Sequence, residues 1–99
     1  MRLLLALIAL ASLAGCGPIQ STSALIDADV EMEAARAAGA ATAAPYEFTS
    51  AEAYLHKARE VAGRAQYEAS SDFASKAADF AKTARKKATE ASNKSQEAP

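Results

Sequence analysis

Cys16 is the only thiol in this 99-residue chain, and the chemistry open to it is narrow. A thiolate can attack carbon, ligate a metal or join a second cysteine, and here no second cysteine exists. His56 is the only histidine, with Glu52 four residues before it. One imidazole and one carboxylate fall short of a zinc ligand set, so the pair is expected to be solvated charges on one side of a helix. The serines fall in stretches suited to caps and tails, and none comes with the base and orienting group that nucleophilic catalysis requires. Lys82, Arg85, Lys86 and Lys87 gather late in the chain, where cations suit a helix C-terminal end. Asp79 and Glu90 interrupt them, and Lys86 stands four residues from Glu90, an ion-pair spacing; contact with anionic headgroups or cell-wall polymer is the functional alternative. The expectation is a protein that is no enzyme, with no metal, no cofactor and no small-molecule substrate.

The segment that positions Cys16 is a short secretory signal. Arg2 gives a positive start, residues 3–13 carry no charge, and the small pair Ala14-Gly15 precedes the cysteine. The run is too short to span a bilayer, which takes roughly twenty apolar residues. An ordinary signal cleaved near Gly15 would leave a free thiol in an oxidising compartment, an unfavourable arrangement. Leu13-Ala14-Gly15-Cys16 resembles the lipobox of bacterial lipoproteins. The resemblance implies that Leu13, Ala14 and Gly15 are read by the signal peptidase and that residues 1–15 are removed. It further implies a diacylglyceryl thioether and an acylated amine on Cys16, lipids of the palmitate kind. One acyl chain binds a bilayer only marginally, with a constant of order 10⁴ M⁻¹, while each further buried methylene adds about 0.8 kcal/mol, so three chains make a lasting anchor. Gly17, not aspartate, follows the cysteine, which points to the outer membrane facing the periplasm.

What remains to fold is residues 16–99, with ten basic against twelve acidic side chains, a balance that argues against nucleic acid as a partner. It holds thirteen large apolar residues (valine upward in size) and 24 alanines. Alanine is the best helix former and lets helices approach closely, but it makes a thin core. The predicted fold is all-α: a small alanine-rich bundle of two to three helices, the last two an antiparallel hairpin. Self-association or another envelope protein is expected to complete it.

The domain plan is a signal peptide over 1–15, a lipidated tether over 16–23, a helical domain over 24–93 and a flexible tail over 94–99. A first helix is predicted from near Ser23 to Gly39, its first half holding Asp27, Asp29, Glu31 and Glu33. Ile26, Val30, Ala34, Ala37 and Ala41 line one side of it; Leu25, Ala28, Met32 and Ala35 line another. Pro45 places a connection at about residues 40–48. Thr49 with Glu52 has the spacing of a capping box for a second helix, whose stripe is Ala51, Tyr54, Leu55, Ala58, Ala62, Ala65 and Ala69. Ser70-Ser71-Asp72 is the expected cap of a third, with Phe73, Ala77, Phe80, Ala84, Ala88 and Ala91 as its seam; the rival is one unbroken helix over 50–93. Gly63 and Tyr67 fall with His56 and Glu60 opposite the alanine stripe. They form either the seat of the first helix, through Ile26 and Val30, or a docking patch for another envelope protein.

Ala37-Ala38-Gly39-Ala40, Ala44-Pro45-Tyr46-Glu47-Phe48 and Ala53-Tyr54-Leu55-His56-Lys57-Ala58-Arg59-Glu60, followed by Gly63 and Tyr67, resemble an uncharacterised family of alanine-rich bacterial envelope lipoproteins. The likeness covers roughly residues 24–90 and implies a helical domain of unknown function. Some members carry an OmpA-like peptidoglycan-binding domain further along the chain, a contact not implied for this one.

Overall fold

The computed structural model describes the backbone of residues 1–14 and 16–97, and the side chains of residues 1–11 and 18–97. Its elements are α1 (Arg2–Ala14), α2 (Cys16–Ala37), the single turn α3 (Ala40–Ala43), α4 (Pro45–Gly63) and α5 (Tyr67–Glu97), with no strand among the described residues. The protein is all-helical, but five helices form where two to three are expected. The apolar N-terminal run winds into a helix of its own, and the connection before Pro45 closes a turn instead of staying irregular. The buried core is drawn from α2, α4 and α5, with α3 adding Ala40.

α2 begins at Cys16, within the stretch expected to be a tether. Pro18 falls in its first turn, where the missing N–H had no intrahelical acceptor to lose. The Thr22 hydroxyl donates to the Pro18 carbonyl at 2.8 Å, and the buried Ser21 hydroxyl donates to that of Ser70 in α5 at 2.9 Å. Residues 18–23 are therefore held by α5 as well as by their own backbone. Of the two stripes on α2, the core takes Ala28, Met32 and Ala35, with Leu25 at its edge. Ile26 and Val30 remain outside. The helix stops near its expected end: Gly39 adopts φ +80°, a left-handed conformation that favours glycine, and its N–H reaches the Arg36 carbonyl at 3.0 Å.

α4 starts at Pro45, four residues before the expected cap, so Thr49 and Glu52 lie within the helix. Proline's fixed φ suits the first helical position, and Glu47 complements the dipole in the first turn. The early start brings Phe48 into the core above Ala51, Leu55 and Ala58.

A break at residues 64–66 excludes the unbroken helix and puts the hairpin turn ahead of Ser70-Ser71-Asp72. The N–H groups of Ala65 and Gln66 bond back to the carbonyls of Ala62 at 3.0 Å and Val61 at 2.9 Å. This double closure satisfies two end carbonyls of α4, and it places Ala65 at φ +61°, where glycine is the usual occupant. α5 then starts at Tyr67, which leaves Ser70 buried in the bundle instead of capping it.

The buried line of α5 is Ser70, Ala74, Ala77, Ala78, Ala81, Ala84 and Ala88. Phe73 and Phe80, expected in the seam, flank it half-buried. Both stack on Tyr54 of α4, with ring centroids 6.2 and 5.6 Å apart, and Tyr46 meets Phe80 edge-on at 6.3 Å. Small residues in the middle and rings at the edge let α5 lie close to two helices at once. Glu47 beside Lys87 makes α4 and α5 antiparallel, while Ser21 beside Ser70 and Glu31 beside Arg85 make α2 and α5 parallel. α5 stays helical through Glu97, reaching into the expected flexible tail, and Ala98 and Pro99 lie outside the described residues.

Candidate functional site

Cys16 is the first residue of α2. Gly15, and the side chains of Leu13, Ala14 and Cys16, lie outside the described residues. Ahead of them, α1 exposes Leu3, Leu4, Leu5, Leu7 and Leu10. No helix among the described residues is long and apolar enough to cross a membrane. Beyond Cys16, the outward side of α2 carries Ile19, Ile26 and Val30 at 72%, 56% and 60% exposure. Pro18, Ile19, Thr22, Ser23, Ile26 and Asp27 line a shallow apolar depression on this side.

Gly63 and Tyr67 do not share the face expected of them. Gly63 ends α4 and Tyr67 begins α5, and the turn between them removes the common helical register. Gly63 is exposed, with nothing within 4 Å of where a Cβ would stand. Tyr67 is half-buried and lines a cleft with Gln20, Glu68, Ser71 and Asp72. α2 thus meets this end of the hairpin through Gln20 and Ser21, not through Ile26 and Val30.

Some of the charged residues join helices. His56 lies exposed in a polar groove between α2 and α4, lined also by Asp29, Glu33, Arg36, Glu52 and Arg59. Arg59 donates to Asp29 across this groove, and Arg36 donates to Glu33 while its guanidinium sits 5.7 Å from the centre of the Phe48 ring. Two carboxylates near the imidazole are therefore already held by arginines. No group of three or more histidine, cysteine or acidic side chains suited to a metal occurs among the described residues.

The late basic cluster has a different role from the one its position suggests. α5 continues past it to Glu97, so Lys94, not the cluster, occupies the last turn. Lys87 donates to Glu47 of α4, and Arg85 stands 3.6 Å from Glu31 of α2. Lys86 and Glu90 are not among the ion pairs of the described residues, despite their spacing. The bond from Lys87, with help from Glu47's own backbone N–H, holds the Glu47 carboxyl below its ordinary value of 4.5. Glu31 has one buried oxygen without a hydrogen bond, and the Arg85 charge is its compensation.

Sequence reasoning missed the Ser21–Ser70 bond and the Lys87–Glu47 pair, whose members stand 49 and 40 residues apart. No local spacing signals such partners. The arrangement as a whole supplies cross-helix polar links around an alanine core and an apolar outer line on α2. No family model matches the chain, and no curated protein or solved structure matches it at a significant level.

Proposed function

We propose that this chain is a bacterial envelope lipoprotein whose helical domain acts as a non-enzymatic partner-binding or assembly module, anchored at the outer membrane and facing the periplasm. The observation that carries the reading is Leu13-Ala14-Gly15-Cys16 at the end of an uncharged apolar run. The exposed leucines of α1 support it, since such a surface suits lipid or a processing enzyme far better than water. The module is the three-helix unit of α2, α4 and α5, its last two helices paired as a hairpin. With the anchor at the first residue of α2, the unit is held beside other envelope proteins at high effective concentration. The resemblance over residues 24–90 points the same way.

Labelled palmitate fed to cells should enter the wild-type protein, and Cys16→Ala should remove the label. Crosslinking in those cells should join the wild-type protein to a membrane-associated partner and lose that adduct in the variant. Label persisting in Cys16→Ala, or absent from the wild type, would overturn the lipoprotein reading. The 31-residue helix α5, about 46 Å long, favours a second reading, a structural spacer associated with peptidoglycan. Muramidase digestion followed by mass analysis separates the two, because a peptidoglycan adduct on the chain would make the spacer role the principal one.

A further inference from the structure

We infer that the outward face of α2, formed by Ile19, Ile26 and Val30, rests in the interfacial layer of the lipid bilayer, so that the domain lies along the membrane instead of standing off it. The inference rests on the lipid-anchor reading above and gives it an orientation.

Spacings of seven and four residues put the three side chains within a sector about 40° wide on an α-helix. They are three of the seven aliphatic residues larger than alanine that follow Cys16, the others being Leu25, Met32, Leu55 and Val61. Those four are buried or half-buried, while these three are more than half exposed. A chain whose core is mostly alanine thus places nearly half of its large aliphatic side chains on one external line. Burial of that line against another apolar phase is the arrangement that gains from it.

Position in the chain identifies the phase. Directly before α2 stands α1, apolar and exposed, and Cys16 itself is the proposed site of acylation. A retained leader and an attached lipid both hold the start of α2 at the bilayer. At a rise of about 1.5 Å per residue, Ile19, Ile26 and Val30 follow Cys16 by about 5, 15 and 21 Å along the axis. No charged residue occurs from position 16 to position 26. The polar neighbours there, Gln20, Thr22 and Ser23, carry no charge to desolvate. Further along, Asp27 borders the same depression and Glu33 lies beside the line paired with Arg36, while Asp29 and Glu31 turn away toward Arg59 and Arg85 of the bundle. The apolar line is narrow and suits shallow contact with the interface, which suffices because the anchor already supplies proximity. A second copy of the chain fits less well, since three side chains fall short of the about 800 Å² per partner of a stable interface.

The test uses the full lipidated chain in vesicles of phosphatidylethanolamine and phosphatidylglycerol. With the Cys16 sulfur committed to its thioether, one added cysteine is the only reactive thiol. Ile19→Cys, Ile26→Cys and Val30→Cys, with Glu52→Cys and Lys86→Cys as exposed controls, would each carry an environment-sensitive fluorophore. Labels at 19, 26 and 30 should emit to the blue of the controls and lose intensity when the vesicles contain a lipid-borne quencher. Adding Val30→Glu to the Ile26→Cys chain should return its label to water-like emission. Water-like emission at all three positions in protein whose mass confirms lipidation would overturn the inference and leave the anchor standing. A blue shift that grows with protein density and ignores the lipid quencher would overturn it in favour of self-association. A mass without lipid would overturn the anchor and the inference together.

Discussion

Among the described residues, Gly39 and Ala65 have backbones in the left-handed region, and only the first is glycine. Ala65→Gly should raise stability by about 1 kcal/mol by removing the steric conflict of a Cβ at positive φ, whereas Gly39→Ala should lower it by about as much. Gly63 stands in a helix with open space beside it, so Gly63→Ala should stabilise by about 0.5–1 kcal/mol. Thermal unfolding of the three variants checks all three signs. A docking role for Gly63 would show separately, as a lost crosslink in a protein that had become more stable. Glu47 gives a pH signature. Its folded carboxyl titrates below 4.5, so the unfolded chain binds the proton first as pH falls, and native stability from the Lys87 bond is present above that value and lost through the folded pKa beneath it. Urea midpoints should therefore fall between about pH 5 and pH 3 in the wild type and fall less in Glu47→Gln, in keeping with one carboxylate fewer to protonate.

At the level of elements, α5 decides the fold because both other long helices pack mainly against it and meet each other less extensively. Apart from Ser70, its buried line is all alanine, and Ala81 is fully buried between its neighbours. Ala81→Leu should destabilise by about 1–3 kcal/mol through overpacking, measured by urea unfolding, even though leucine is itself a good helix former. The start of α2 carries a second prediction. Ser21→Ala and Ser70→Ala should each cost about 1 kcal/mol, because each leaves the other hydroxyl buried without its partner, while the double substitution should cost less than the sum. A loose tether over residues 16–23 would show no such coupling.

For the molecule as a whole, polar work and apolar work are divided between faces. The Arg59–Asp29, Arg85–Glu31 and Lys87–Glu47 pairs lock α2 to α4, α2 to α5 and α4 to α5. They are partly solvated, so their main effect is to fix which helices meet and in which direction, more than to add stability. Beyond Cys16, the large aliphatic side chains left exposed, Ile19, Ile26 and Val30, lie on α2. The unlipidated form of residues 16–99 should consequently unfold with a midpoint that does not depend on protein concentration, since its core is complete within one chain. A midpoint rising with concentration would mean that a second copy covers α2 in solution.

The helical class, the stop at Gly39 and the existence of a hairpin were legible from composition and local signals, because alanine content and glycine punctuation act over a few residues. The stripe of Leu25, Ala28, Met32 and Ala35 was legible too, but not its priority over Ile26 and Val30, for two apolar sides of one helix look equally fit for burial until a partner is present. The same limit hid the true start of α2, of α4 and of α5. Cap residues such as Thr49 and Ser70 are competent signals, and tertiary contacts overrode them where Phe48 reached the core and where Ser70 met Ser21. The basic cluster was visible as charge, while its destination in Glu31 and Glu47 followed only from the closure of the bundle. Lipid attachment at Cys16 rests on sequence alone, and the direction in which α2 presents its spare apolar side chains is what tertiary structure added.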